Sequence, residues 1–245
     1  MLRHAQEIDC TNEPEPPMKP AAFAALWLAV GLGAPAAAVT LGQADTFEDG
    51  TTQGWVINLL GTGNPPAAAL PQNIADGGPA GSGDNFLRLT SVGGNAAGSR
   101  LTVINVGSWA GNYVAAGVTG IRMDLRNPGP TDLVLRLVFE NPLAGPPTDL
   151  AVSTGGIDLP AGGGWTRVQF ATTPSALTAQ LGDAADALTT ATALRLFHSP
   201  DATFPGPAGV AMLDVDNVTA VPEPATWALW ACAGLLLAVS RRLAS

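Results

Sequence analysis

Few residues of this chain have the chemistry and the spacing of a catalytic centre. His198 is the only histidine of residues 39–220, and that stretch contains no cysteine. Ser199 and Asp201 follow His198 almost directly, whereas the members of a hydrolytic triad are usually brought together from distant parts of a chain. We therefore interpret His198 as a strand-end or surface residue.

Glu48 and Glu140 are the glutamates of the same stretch. A carboxylate pair for glycoside hydrolysis is defined by the distance between the two groups in space, which a sequence does not contain. We predict that the protein is not an enzyme, and a polysaccharide-active enzyme stays as the weakest alternative.

Aromatic side chains are the natural partners of sugar rings, which stack on their flat faces beside polar groups that bind the hydroxyls. Four large aromatic residues of the central stretch are candidates: Trp55, Trp109, Tyr113 and Trp165. Large aromatic residues more often pack in a core, and we expect this of Trp55 and Trp165. Trp109 and Tyr113 belong to a segment of loop-like composition and are predicted to be exposed, ligand-binding side chains.

The elements that must position these residues are predicted to be β-strands. Ile121, Met123 and Leu125 alternate with charged residues, and residues 133–139 are apolar at every second position. This period of two is typical of strands with one buried face. The intervening Asn127-Pro128-Gly129-Pro130 has the composition of a tight turn, so the two strands are a candidate hairpin.

Five further strands are predicted by the same pattern, near residues 86–90, 101–106, 166–171, 193–198 and 210–219. Residues 61–83 are rich in glycine and proline and are predicted to be a loop, and the alanine-rich residues 175–192 are a candidate short helix. Short strands at this spacing favour a single antiparallel β-sandwich or jelly roll, so we predict an all-β fold.

Charge and cysteine content narrow the class of partner. The formal net charge is −9, and the two cysteines, Cys10 and Cys232, lie outside residues 39–220. No disulfide can therefore cross-link the central stretch, which is long enough to build a core without one. A negative field repels phosphate backbones and anionic lipid surfaces, so we expect no nucleic acid partner. Cations and neutral polymers fit this charge better.

The N-terminal region has the features of an export signal. Met18-Lys19 begins a short positive region, residues 23–32 are apolar, and Ala36-Ala37-Ala38 offers the small residues that signal peptidase needs. We predict cleavage after Ala38. The polar, acidic residues 1–17 do not normally precede a signal peptide, so Met18 is a candidate for the true start.

The C-terminal region contains Val221-Pro222-Glu223-Pro224, an apolar run over residues 225–239, and Arg241-Arg242. As a helix, this run rises about 24 Å, just short of a bilayer core. The paired arginines should remain cytoplasmic, which places the preceding domain on the far side of the membrane.

This order of features resembles the PEP-CTERM sorting signal of exopolysaccharide-producing Gram-negative bacteria. The resemblance implies that exosortase, a membrane protease-transpeptidase, reads Pro222-Glu223-Pro224, and that the helix is then removed. It also implies that the domain is passed from the inner membrane to the outer surface or the extracellular matrix. An ordinary tail anchor would have the same topology and would keep its helix.

Three landmarks of the central stretch resemble the galactose-binding-like and laminin B-type jelly rolls: Phe47-Glu48 near its start, Gly164-Trp165, and Asp214-Val215-Asp216-Asn217 near its end. In many such domains the opening glutamate and the closing aspartate hold a structural Ca²⁺, which binds several oxygen ligands. The resemblance therefore implies that Glu48 and Asp216 hold calcium. Asn217 stands where a second acid is common, and an unchanged melting temperature at millimolar Ca²⁺ would contradict the site.

Together these observations predict three regions: a leader and signal peptide over residues 1–38, a β-sandwich domain over 39–220, and a sorting signal with a transmembrane helix and basic tail over 221–245. The predicted protein is exported, non-enzymatic, and located at the cell surface or in a matrix. Its expected partners are signal peptidase, exosortase, the inner membrane before processing, and exopolysaccharide or biofilm. The alternative is a carbohydrate-binding module that binds the polysaccharide directly through Trp109 and Tyr113.

Overall fold

The computed structural model describes residues 38–57, 64–142 and 145–222, which form an antiparallel β-sandwich. The strands are β1 (Ala44–Asp45), β2 (Gln72–Ile74), β3 (Phe86–Val92), β4 (Thr102–Asn105), β5 (Gly120–Arg126), β6 (Leu133–Asn141), β7 (Asp149–Ser153), β8 (Ile157–Leu159), β9 (Thr166–Ala171), β10 (Leu177–Leu181), β11 (Ala193–His198) and β12 (Val210–Val221). Helical structure in these residues consists of α1 (Ala184–Thr189) and two 3-10 turns, Ala67–Ala69 and Pro174–Ala176.

Two sheets face each other across the core. Sheet A has the strand order β2-β3-β12-β5-β9, and β1 pairs with the C-terminal part of β12. Sheet B has the order β10-β7-β6-β11-β4, and β8 pairs with the start of β6. Every strand pair is antiparallel. The prediction of an all-β, antiparallel sandwich is confirmed.

The period of two in the sequence marks the residues that fill the core. Ile121, Met123 and Leu125 point inward from sheet A, and Leu135 and Leu137 point inward from sheet B; none of these side chains has measurable exposed surface. Their strand neighbours point to the two outer faces of the sandwich, because successive side chains of a strand alternate between its faces.

The predicted hairpin of β5 and β6 is wrong, because the two strands belong to different sheets. The turn that joins them is an arch from sheet A to sheet B, with Asn127 buried at its base. The Asn127 side-chain amide donates to the carbonyl oxygens of Thr131 and Leu159 at 2.9 Å each, and its Oδ1 accepts from the Gly129 N–H. Turn composition predicted a reversal correctly, but it does not specify which strand pairs with which.

The alanine-rich segment divides into a strand and a helix. Strand β10 pairs with β7 at the edge of sheet B, and α1 follows with Asp183 as its N-cap, whose side chain accepts from the Ala185 N–H at 2.7 Å. The predicted helix is thus present, but shorter than the alanine-rich stretch.

No helix within residues 38–57, 64–142 and 145–222 is long and apolar enough to cross a membrane. The predicted signal peptide, the predicted C-terminal helix and its basic tail fall on residues outside these ranges, so they stay predictions.

Candidate functional site

Trp109 and Tyr113 are core residues, and the prediction that they are exposed is wrong. Neither side chain has exposed surface. The Trp109 indole N–H donates to Asp45 Oδ2 at 2.7 Å, and the Trp55 indole N–H donates to the same oxygen at 2.7 Å. The Tyr113 hydroxyl donates to the Trp109 carbonyl oxygen at 2.7 Å. In this arrangement neither Trp109 nor Tyr113 offers a face to a ligand.

Asp45 is the acceptor that makes this buried aromatic cluster possible. Burial raises the pKa of its carboxyl group above the usual value, and the two indole donors only partly offset that cost. The expectation that Trp55 packs in the core is confirmed, since it is almost fully buried.

Glu48 and Asp216 lie close enough to interact electrostatically, at one end of sheet A. Glu48 Oε1 accepts from the Asn85 N–H at 3.0 Å. Asp216 is buried and accepts from the backbone and side-chain N–H groups of Asn217 at 2.6 and 3.1 Å. Burial, together with neighbouring carboxylates that include Glu48, raises the pKa of Asp216 to about 7. A cation bound here would favour the ionised form of Asp216.

The carboxylate and carbonyl oxygens around Glu48 and Asp216 are the ligands that a hard cation prefers, but the carboxylates alone do not form a metal-binding cluster. Within the described part of the chain, no three His, Cys, Asp or Glu side chains are arranged to hold a metal ion. A calcium ion would need backbone or amide oxygens as further ligands. The Phe47 carbonyl is one such oxygen, and it accepts from the side-chain amides of Asn73 and Asn85 at 2.7 and 3.4 Å. The calcium site at Glu48 and Asp216 stays a prediction.

The outer face of sheet A has a network of arginines and aromatic rings that sequence reasoning missed. Asp214 is fully buried between Arg88 and Arg126, with nitrogen–oxygen distances of 2.7 to 2.9 Å. The Arg126 guanidinium carbon also lies 5.1 Å from the ring centre of Phe86 and 4.7 Å from that of Trp165. The half-buried Trp165 donates its indole N–H to the Gly77 carbonyl oxygen at 3.1 Å. This network therefore stabilises sheet A.

The outer face of sheet B is partly covered by the loop between β11 and β12. A second apolar cluster, separate from the main core, consists of Val138, Leu150, Val152 and Phe197, with Phe204 of the loop packed on it. The rings of Phe197 and Phe204 meet edge to face at 5.2 Å between their centres. Phe204 itself is half-buried, so part of its surface stays accessible.

Arg136 holds this loop in place. Its side chain is almost fully buried and donates four hydrogen bonds to backbone carbonyl oxygens. Two go to Ser199 and Pro200 of the loop at 3.0 and 2.8 Å, and two go to Ser153 and Thr154 at the end of β7 at 2.9 and 2.7 Å. One guanidinium group therefore joins two segments of chain that are far apart in sequence.

Two polar atoms on the same outer face lack partners. Arg195 forms an ion pair with Glu140 at 2.5 Å, and its guanidinium carbon lies 5.3 Å from the ring centre of Phe204. Among the described residues, neither Arg195 Nε nor the hydroxyl of Thr102, on the adjacent strand β4, has a hydrogen-bond partner, although both atoms are buried. Buried polar atoms are nearly always satisfied, by protein, water or ligand.

A surface cavity of about 300 Å³ adjoins Thr102. It is lined by Ile57, Pro65, residues 96–100 and Thr102, and its size is at the lower end of the range for small-molecule sites. We call Thr102, Arg195, Phe204 and this cavity the β4–β11 site. Nothing in the sequence marks these residues, because a polar atom can be recognised as buried and without a partner only after the strands have paired.

The residues considered for catalysis do not come together. His198 accepts from the Val134 N–H through Nδ1 at 2.9 Å, and burial lowers its pKa. Glu48 lies beside Asp216 of sheet A, whereas Glu140 lies on the outer face of sheet B, paired with Arg195. Glu48 and Glu140 are thus on opposite sides of the sandwich and cannot flank one glycosidic bond.

The predicted sorting signal begins where the sandwich ends. Val221 is the last residue of β12, pairs with Gly120 of β5, and is buried. Pro222 is the last residue that the structure describes. Glu223, Pro224, Arg241 and Arg242 lie outside the described residues, so the sorting signal stays a prediction.

The fold is similar to that of solved carbohydrate-binding modules. The family 11 module from Clostridium thermocellum, solved in complex with a β-1,3-1,4-mixed-linked tetrasaccharide, has a TM-score of 0.50 and 10% sequence identity, covering 75% of this chain and 97% of that one. The family 11 module of a cellulosomal cellulase of the same organism also has a TM-score of 0.50 and 10% identity, with coverage of 75% and 96%.

No protein-family model matches the chain, and no curated protein matches its sequence. At 10% identity the structural likeness establishes the fold. The chain has a jelly-roll β-sandwich fold.

Proposed function

We propose that the domain binds polysaccharide directly, at the β4–β11 site. The observation that carries this proposal is a pair of buried polar atoms without described partners on the outer face of sheet B: Thr102 Oγ1, whose residue lines the cavity, and Arg195 Nε, whose guanidinium lies against the half-buried ring of Phe204. Sugar hydroxyls both donate and accept hydrogen bonds, so separate hydroxyls of one sugar chain can complement the Thr102 hydroxyl and the Arg195 N–H. The ring of Phe204 supplies an apolar face for the C–H side of a pyranose.

The site is already organised before any ligand arrives. The Arg195 side chain is 17% exposed and is fixed by the ion pair with Glu140 and by the Phe204 ring. A donor that is held in position costs little conformational entropy when a ligand binds. The similarity in fold to a module solved with a tetrasaccharide supports the same proposal. The proposed binding residues replace Trp109 and Tyr113.

Replacing Thr102 by valine should weaken polysaccharide binding about three- to tenfold. The change keeps the shape of the side chain and removes only the hydroxyl, and one hydrogen bond contributes about 0.5–1.5 kcal/mol. The measurement is the retardation of the purified domain in native gels cast with neutral and acidic polysaccharides. Phe204→Ala should reduce retardation as well, by removing the apolar face.

Thr119→Val is the matched control, because the Thr119 hydroxyl is also buried without a described partner but lies next to β5 of sheet A. It should leave retardation unchanged. Trp165→Ala, on the outer face of sheet A, is the control for Phe204→Ala. If no polysaccharide retards the wild-type domain, or if Thr119→Val weakens binding as much as Thr102→Val, the proposed site is wrong.

We also propose that the domain is exported and released by processing at both ends. The sequence features of a signal peptide and of a PEP-CTERM signal support this, and the two predicted cleavage regions border the folded domain. Val39, just after the predicted cleavage position, is buried and donates its N–H to the Ala110 carbonyl oxygen at 2.7 Å. Val221, just before Pro222, is the last residue of the last strand.

The intact mass of the protein from the cell surface and medium of the native host should correspond to a chain without residues 1–38 and without the residues after Pro224. Removal of these segments leaves every described strand complete. A mass that keeps the chain through Ser245 would instead indicate a tail-anchored protein, and exosortase sorting to a biofilm or matrix would be excluded.

A further inference from the structure

Arg100 is the charged residue that lines the cavity of the β4–β11 site. Its side chain is exposed, and its Nε donates to the Gly206 carbonyl oxygen at 2.7 Å. Among the described residues it forms no ion pair. The arginines with carboxylate partners in these residues are Arg88, Arg126, Arg167 and Arg195.

The environment of Arg100 differs from that of the buried Arg136, which, like Arg100 and Arg122, has no carboxylate partner among the described residues. Arg136 directs its guanidinium to four carbonyl oxygens in the protein. Arg100 uses one donor in this way, and none of the described residues that line the cavity is acidic. The planar guanidinium fork matches a carboxylate, with two parallel N–H···O hydrogen bonds.

We infer that this cavity binds the carboxylate of an acidic sugar residue, a uronate unit of a polysaccharide, with Arg100 as the residue that determines specificity. This inference rests on the proposed function of the β4–β11 site. Thr102 lines the same cavity, and its buried hydroxyl, which has no partner among the described residues, suits a ring hydroxyl of the same sugar. The chemical class of ligand is thereby narrowed from sugars in general to sugars with a carboxyl group.

The charge of the whole chain limits how many acidic groups the polymer can have. A formal net charge of −9 repels a polymer with a carboxylate on every sugar. At physiological salt, exposed charges are screened beyond about 8 Å, so one carboxylate in contact with Arg100 is little affected by distant acids. The geometry therefore favours a polysaccharide in which neutral sugars separate the uronate units.

The test compares each polysaccharide with its own carboxyl-reduced form, in which the uronates have become neutral sugars. The probes are glucuronoxylan, gellan and the extracellular polysaccharide of the native host, in affinity gels at physiological salt. At least one native polymer should bind about tenfold or more tightly than its reduced form, because a charge-assisted hydrogen bond contributes about 1.5–3 kcal/mol. Arg100→Gln should remove this difference.

Arg122→Gln is the matched control, because Arg122 is exposed on the outer face of sheet A and its loss changes the net charge equally. It should keep the preference for the native polymer. Arg100→Lys should keep part of the preference, since it preserves the positive charge. If Arg122→Gln loses the preference as Arg100→Gln does, the change in net charge and not the contact with Arg100 is responsible, and the inference is wrong.

Two results separate this inference from the proposed function. Equal binding of native and reduced polymers, weakened in both by Thr102→Val, would overturn the uronate inference and leave polysaccharide binding intact. No binding of any polymer would overturn both.

Discussion

Arg136→Met should lower the free energy of unfolding by about 4 kcal/mol or more. The guanidinium donates four hydrogen bonds to the carbonyl oxygens of Ser153, Thr154, Ser199 and Pro200. Hydrogen bonds to a charged group contribute about 1.5–3 kcal/mol each, and the cost of burying the cation offsets part of their sum. Methionine fills a similar volume without any donor, and it leaves these carbonyl groups unpaired. Urea unfolding at 25 °C measures the change.

The same substitution should weaken polysaccharide binding, because Arg136 anchors the loop that positions Phe204. Arg136→Lys should be intermediate, since an ammonium group cannot reach four carbonyl oxygens in fork geometry. Arg122→Met, at an exposed position, is the control for losing one positive charge and should change stability by less than about 0.5 kcal/mol. A loss below about 1 kcal/mol for Arg136→Met would contradict this account of the loop.

Asp45→Ala should destabilise the domain by about 3 kcal/mol. Asp45 Oδ2 accepts both the Trp55 and the Trp109 indole N–H groups, and the three side chains are buried. Each buried donor that loses its partner costs about 1–3 kcal/mol, and removal of the desolvated carboxyl group offsets part of this loss. Urea unfolding followed by tryptophan fluorescence and by circular dichroism checks the value.

The effect of Asp45→Ala should depend on pH in a defined direction. Burial raises the pKa of Asp45 above its ordinary value of 3.8, so the folded protein binds this proton more tightly than the unfolded chain does. The contribution of Asp45 to stability therefore falls as pH rises through the range between the two pKa values. The difference between wild type and variant should accordingly shrink from pH 4 to pH 7.

Asp158→Ala is the matched control, because Asp158 is exposed on β8 and the substitution makes the same change in charge. It should change stability by less than about 0.5 kcal/mol. If Asp45→Ala were no more destabilising than Asp158→Ala, the indole hydrogen bonds would not stabilise the core.

Strand positions were predictable because a strand with one buried face has a period of two, which is a local property of the chain. The predicted strands at 166–171 and 193–198 coincide with β9 and β11, and that at 210–219 lacks only the end of β12. Strands β1, β2, β7, β8 and β10 were not predicted. β10 lies in the alanine-rich stretch that the sequence analysis interpreted as a candidate helix, although Leu177, Ala179 and Leu181 alternate with polar residues at this exposed edge of sheet B.

Strand pairing was not predictable in the same way. Residues 120–126 and 133–141 are joined by six residues of turn composition, yet they belong to different sheets. A tight turn and an arch between sheets use the same residue types, because both need proline, glycine and a short polar side chain. The choice between them depends on contacts of Asn127 with Leu159, which lies far along the chain.

The all-β class, the positions of most long strands and the expectations for both ends of the chain could be predicted from the residues alone. These depend on periodicity and on the order of residue types, which are written along the chain. The tertiary structure alone decided which aromatic residues are buried, because Trp109 and Trp55 reach one carboxylate from separate segments. It also decided where buried polar atoms are left without described partners, since Thr102 and Arg195 come to the same face, diagonally across two strands, only when β4 and β11 pair.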